Sequence, residues 1–170
     1  MRWAEAAGLM AFLSALLALT AVSARPIGHP DTEGALAAAL KREFEWFMKD
    51  DLYRRSDEPA EAITLCLGGE SQFDIERLAM HLSDTVIRPV PYKSCRRVVE
   101  EGDFGMFTAL YHYFGPDSEE ASSLAVVAIK CPTTSSCVID IDDFGGGYRH
   151  FVEQRGADWV VVETTTRWVV

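Results

Sequence analysis

Asparagine is absent from the 170 residues, so the chain carries no N-x-S/T acceptor for glycosylation. Lysine is scarce, four residues against twelve arginines. Positive charge as a whole is in deficit: 16 basic side chains face 26 acidic ones, for a formal net charge of −10. Such a chain repels phosphate backbones, which excludes sequence-independent nucleic-acid binding. Catalytic signatures are missing too. There is no C-x-x-C redox pair, Gly68-Gly69-Glu70-Ser71 lacks the spacing of a nucleophile elbow, and Gly145-Gly146-Gly147 has no phosphate-loop partner sequence. The closest cysteines are six positions apart with no histidine beside them, unlike the ligand spacing of zinc modules. Neither a metal nor a cofactor is therefore expected. What remains is the balance of a folded domain, 48% hydrophobic and 25% charged, in a chain too short for a multi-domain enzyme on a large α/β scaffold.

The N-terminus reads as an address. Arg2 precedes an uncharged, Ala/Leu-rich run from Ala6 to Val22, and Val22-Ser23-Ala24 supplies a cleavage pattern ahead of Arg25-Pro26. The run sits at the short end of what spans a bilayer, which favours a cleaved leader over a retained anchor. Residues 1–24 are accordingly read as a signal peptide, and 25–170 as one exported domain, with no membrane contact after cleavage. No cysteine lies near the cut, as a bacterial lipoprotein would need. Alanine richness and the preference for arginine point to a high-GC bacterial genome, hence to a periplasmic or extracellular location.

Cys66, Cys95, Cys131 and Cys137 are an even set in an exported chain, so two disulfides are expected, with three pairings open. The β-type runs Leu124 to Ile129 and Val138 to Ile141 flank a turn-rich connection, Pro132 to Ser136. Cys131 and Cys137 then stand at the two bases of a hairpin loop. That favours Cys131–Cys137 and leaves Cys66–Cys95. Loop-closure entropy assigns the two bridges about 2.4 and about 3.6 kcal/mol respectively.

Leu36, Leu40, Phe44 and Phe47 recur at helical spacing behind Asp31 and Thr32, which predicts a helix to about Asp51. Trp46 and Tyr53 lie on another flank of it, facing a groove or a second packing surface. Ala62 to Leu67 reads as a strand. Ser71 and Asp74 resemble a capping box before a short helix carrying Ile75, Leu78, Ala79 and Leu82. Pro89 and Pro91 force an extended, edge-like path from Val86 to Cys95. The period then changes to two: Met106 to Phe114, Leu124 to Lys130, Cys137 to Asp142, Tyr148 to Gln154 and Trp159 to Trp168 read as strands. The acidic clusters Glu100/Glu101/Asp103 and Asp117/Glu119/Glu120 read as loops. The class is α+β, an N-terminal helix packed on a curved antiparallel sheet. Alternation puts Trp159 and Val161 on the inner face, where the indole should meet Leu40, Phe44 or Phe47.

The layout of a long helix, a short helix and a strand meander, closing on Tyr148-x-x-Phe151 and Gly156-x-Asp158-Trp159-x-Val161, resembles the cystatin-like or NTF2-like α+β roll. The resemblance implies a helix cradled by a curved sheet. That fold hosts enzymes, ligand carriers and protein-binding modules alike, so function has to be argued from the site.

Asp140-Ile141-Asp142-Asp143 before the three glycines invites a calcium loop. Phe144 and Phe151, however, occupy the fifth and twelfth positions, where oxygen ligands are needed. A strand with one wet face explains the alternation. His112 and His150 sit in aromatic-rich strands and can point into the interior of a roll, where a carboxylate such as Glu153 would complete an acid–base pair. Lys93, Arg96 and Arg97 form a small basic cluster. The candidate binding residues are His112, His150, Tyr111, Tyr113, Trp46 and Tyr53. The expected function is that of an exported, non-catalytic binding domain recognising another protein, inhibitor- or immunity-like. The alternative is a periplasmic small-ligand carrier or NTF2-like enzyme using the roll interior. A deep cavity holding the histidines and a carboxylate would favour the alternative; a filled core with an exposed aromatic patch would favour the first.

Overall fold

In the computed structural model, which describes residues 29–49, 62–104 and 107–170, helix α1 spans Thr32–Lys49. Its start is set by Asp31, whose Oδ1 accepts the Gly34 N–H at 3.2 Å, and by Glu33 in the first turn. Ala35, Leu36, Ala39, Leu40 and Phe44 form its buried stripe. The expected leader, Tyr53 and the side chains of Trp46 and Phe47 lie outside the described residues.

The elements that follow are β1 (Ile63–Gly69), α2 (Ile75–His81), β2 (Ile87–Pro91), a single 3-10 turn (Tyr92–Ser94), β3 (Arg96–Phe104), β4 (Phe107–Phe114), β5 (Glu120–Thr133), β6 (Ser136–Asp142), β7 (Gly146–Arg155) and β8 (Asp158–Val169). Two helices and one eight-stranded sheet make the class α+β among the described residues. The strand order is β2-β1-β5-β6-β7-β8, and the β3–β4 hairpin joins this path through β4 and β5.

The sheet is mixed rather than wholly antiparallel, because β1 runs parallel to both of its neighbours. Parallel neighbours need a crossover, and α2 carries the chain back between β1 and β2. The prolines of β2 cannot donate to a ladder, which suits its place at the sheet edge. Helix α2 is capped by Asp74 itself, whose side chain accepts from the N–H groups of Glu76 and Arg77, and Ser71 stands outside the cap. Glu100, Glu101 and Asp103 lie in β3, not in a loop. The β3–β4 hairpin exposes both flanks of β3, so charged side chains carry no desolvation penalty there. β5 likewise starts at Glu120, four residues before the expected Leu124.

The core lies between α1 and the inner face of the sheet, where Leu65, Leu67, Val126, Ile139, Ile141 and Val152 meet Leu36 and Leu40. Trp159 and Val161 join it, and Val160 and Val162 face solvent, as strand alternation requires. The indole seats against Gly34 in the first turn of α1, where an added Cβ would come within 2.8 Å of Trp159 Cδ1. Both disulfides pair as the sequence favours. Cys66–Cys95 ties β1 to the residue after the 3-10 turn, and Cys131–Cys137 closes the β5–β6 hairpin. No described helix is long and apolar enough to cross a membrane.

Candidate functional site

Two strands approach the same edge of β5 from opposite ends, and a cleft opens where they part. β4 pairs with β5 at only two positions, Tyr113 with Ala121 and Phe114 with Glu120. β6 takes over at Ala125, opposite Asp142. Between them Ser122, Ser123 and Leu124 pair with Leu65, Cys66 and Leu67 of β1 on one side and with no described strand on the other. Only one strand can occupy a given stretch of edge, so β4 has to peel away, taking the β3–β4 hairpin with it. From Ala109 to His112, β4 pairs with β3 alone, and no described strand pairs with its second edge.

The resulting wedge measures about 730 Å³. Gly68 and Gly69 line it at the end of β1. Gly69 has φ +121°, and a Cβ there would fall 2.1 Å from the Val126 carbonyl oxygen, so only glycine lets β1 lie this close to β5. Aromatic pairs stand in the walls: Tyr92 with Tyr113, ring centroids 6.0 Å apart, and Tyr111 with Phe144, 6.3 Å apart. Tyr92, Tyr111 and Phe144 are 40%, 44% and 56% exposed, a large aromatic surface to leave in water. A hydrogen bond with Tyr113, followed by burial, raises the Tyr92 phenol above its ordinary range, so it stays a neutral donor at physiological pH.

Among the described residues the lining contains Asp142 and Asp143 but no lysine, arginine or histidine. Asp142 is ion-paired with Arg167. Asp143 accepts the N–H groups of Gly145 and Gly146 through its Oδ1, at 2.7 and 2.6 Å, and has no cationic partner among the described residues. Its charge is felt nearby: with burial as the main cause and Asp143 next, the Tyr148 phenol is raised. Behind Tyr111, Arg97 stacks 5.3 Å from the ring centre, and Arg96 lies over Phe114 at 4.5 Å. Arg96 and Arg97 of the small basic cluster are therefore spent partly on the hairpin's own rings.

The sequence candidates separate. Tyr111 and Tyr113 alternate to the cleft, and His112 does not line it; its Nε2 is 3.1 Å from Glu100 Oε2 on the exposed hairpin. His150 is buried in the core, with Nδ1 3.0 Å from Thr164 Oγ1 and Nε2 2.8 Å from Glu43 Oε1. The latter is a close ion contact without the alignment of a hydrogen bond. Its carboxylate is Glu43 of α1 rather than Glu153, which contacts Arg155 in solvent. Asp140 is buried and clamped by Arg149 through two hydrogen bonds, instead of lying on a wet face. The residues that sequence reasoning missed are Tyr92, Phe144 and Asp143. The exposed Phe144, set between acidic residues and glycines in a turn, was the available signal. No family model, curated protein or solved structure matches this chain.

Proposed function

We propose that this chain is an exported, non-catalytic binding domain that recognises another protein through the β4–β5 wedge, in the manner of an inhibitor or immunity protein. The observation that carries the reading is the exposed aromatic set Tyr92, Tyr111 and Phe144 around a cleft bordered by strand edges that no described strand pairs. Aromatic side chains surrounded by polar groups are the composition of protein-binding surfaces. Two disulfides and the leader pattern at 1–24 suit an oxidising compartment. The helix laid on the sheet agrees with a cystatin-like or NTF2-like roll, from which the parallel placement of β1 is a departure. The test uses the mature protein and a Tyr111→Ala/Phe144→Ala variant as baits for exported proteins of the same cells. One protein held at constant stoichiometry by the first and lost by the second, with equal melting temperatures, supports the reading. Identical capture by both baits overturns it.

A second reading, catalysis, is favoured by one observation: the His150 imidazole lies between the Thr164 hydroxyl at 3.0 Å and the Glu43 carboxylate at 2.8 Å. Thr164 also lines a groove of about 500 Å³ between α1 and β8 that includes Lys41 and Arg42. Against it, His150 is wholly buried and lines no part of that groove. Turnover of an activated ester that disappears in Thr164→Val would establish this reading; turnover unaffected by that substitution, or none, removes it.

A further inference from the structure

We infer that the wedge seats an extended segment of the partner bearing arginine or lysine, and that this segment adds a strand to the edge of β4 that no described strand occupies. The inference rests on the protein-recognition reading above and deepens it. Backbone geometry is the first support. A strand paired on one side only presents alternate N–H and C=O groups to any chain that lies beside it. Leu110 and Tyr111 of that edge line the wedge, and the stretch from Ala109 to His112 that no described strand pairs offers, at about 3.3 Å per residue, room for some four residues of an added strand. Ser122 to Leu124 of β5 supply, at the floor, a second edge with no partner among the described strands.

Charge is the second support, and it selects the occupant. Among the described residues the cleft lining holds two carboxylates and no cation, in a chain of net charge −10. Asp142 already has Arg167, but among the described residues Asp143 accepts only backbone N–H groups. A basic side chain on the added strand would reach that carboxylate. Aromatic walls suit the same group, because ring faces attract ammonium and guanidinium ions. The hairpin demonstrates the contact on itself: Arg97 lies over Tyr111 and Arg96 over Phe114. An acidic segment would meet Asp142 and Asp143 with like charge and gain nothing from the ring faces.

The probes are an eight-residue peptide alternating arginine with threonine or valine, its glutamate counterpart, the arginine peptide N-methylated at alternate backbone nitrogens, and free arginine. Each is titrated into the full mature protein, followed by calorimetry and by amide hydrogen exchange. The arginine peptide should bind at least tenfold more tightly than the glutamate peptide and slow exchange on that edge of β4 between Ala109 and His112. N-methylation should abolish binding. Asp143→Asn keeps an oxygen for Gly145 and Gly146 but loses the charge, and should weaken the arginine peptide at least fivefold at unchanged melting temperature. Equal affinity for both charged peptides overturns the inference, as does equal binding of free arginine without amide protection, which would mark a small-cation site. If the Tyr111→Ala/Phe144→Ala bait loses its captured protein while no arginine peptide binds the unaltered domain, protein recognition stands and the basic-strand inference falls. If capture is unaffected and no peptide binds, both fall.

Discussion

His150 Nε2 lies 2.8 Å from Glu43 Oε1, with the histidine wholly buried and the carboxylate 13% exposed. The contact joins β7 to α1 through the core. The other ring nitrogen reaches Thr164 Oγ1, directly opposite on β8. One imidazole thus ties three elements, at a depth where an unmatched charge or an unpaired polar atom is costly. This accounts for a histidine at the heart of a core built mainly from alanine, leucine, isoleucine and valine.

Removing one side of that contact should be expensive. His150→Ala leaves the Glu43 carboxylate without its partner and should lower stability by about 3–5 kcal/mol in chemical denaturation. His150→Leu combined with Glu43→Leu removes both polar groups at similar volume and should regain most of the loss. Equal stability of His150→Ala and the unaltered protein would show that the contact contributes nothing.

Asp140 governs part of the acid stability. Hydrogen bonds from Arg149 hold its carboxyl below the ordinary carboxylate range; burial opposes them, and the charges of Arg149 and Arg167 add to the lowering. A depressed folded-state pKa gives stability that is fully present above the unfolded value, about 3.9. That stability is lost as pH falls from there through the lower folded value. Asp140→Asn should cost about 1.5–3 kcal/mol at neutral pH and flatten the melting-temperature profile below pH 4. An unchanged acid limb would count against this account.

The two disulfides should contribute unequally. Cys66–Cys95 closes a separation of 29 residues and Cys131–Cys137 one of 6. Paired replacement by alanine should cost about 3.6 kcal/mol for the first and about 2.4 kcal/mol for the second. Denaturation of the two variants side by side checks the order.

Gly34→Ala should destabilise the protein, although alanine is the better helix former by about 1 kcal/mol. The new methyl would fall 2.8 Å from Trp159 Cδ1 and 2.3 Å from Asp31 Oδ2, displacing the indole or the cap. A higher melting temperature for Gly34→Ala would show that Trp159 has room to move.

Much of the secondary structure was legible because its causes are local. The spacing of Leu36, Leu40 and Phe44 marks α1, alternation marks Trp159 and Val161 as inward, and Pro89 and Pro91 confine β2 to an edge. The cysteine pairing was legible too, since Cys131 and Cys137 bracket a hairpin and only one partner remained for Cys66. Non-local pairing was not. Nothing near Ala62 to Gly69 says that β1 will lie parallel to β5, some fifty residues on, because strand propensity carries no record of the neighbour. Glu100, Glu101 and Asp103 read as a loop because their strand is built on a hairpin that leaves the core, where hydrophobic alternation is not required. The cleft is the strongest case. It exists because β4 and β6 compete for one edge of β5, and that competition brings Tyr92, Tyr111 and Asp143 together from three separate stretches of chain. The sequence alone determined the staples and, apart from β3, most of the elements; the order of strands in the sheet, a property of long-range pairing, decided where the proposed binding surface would form.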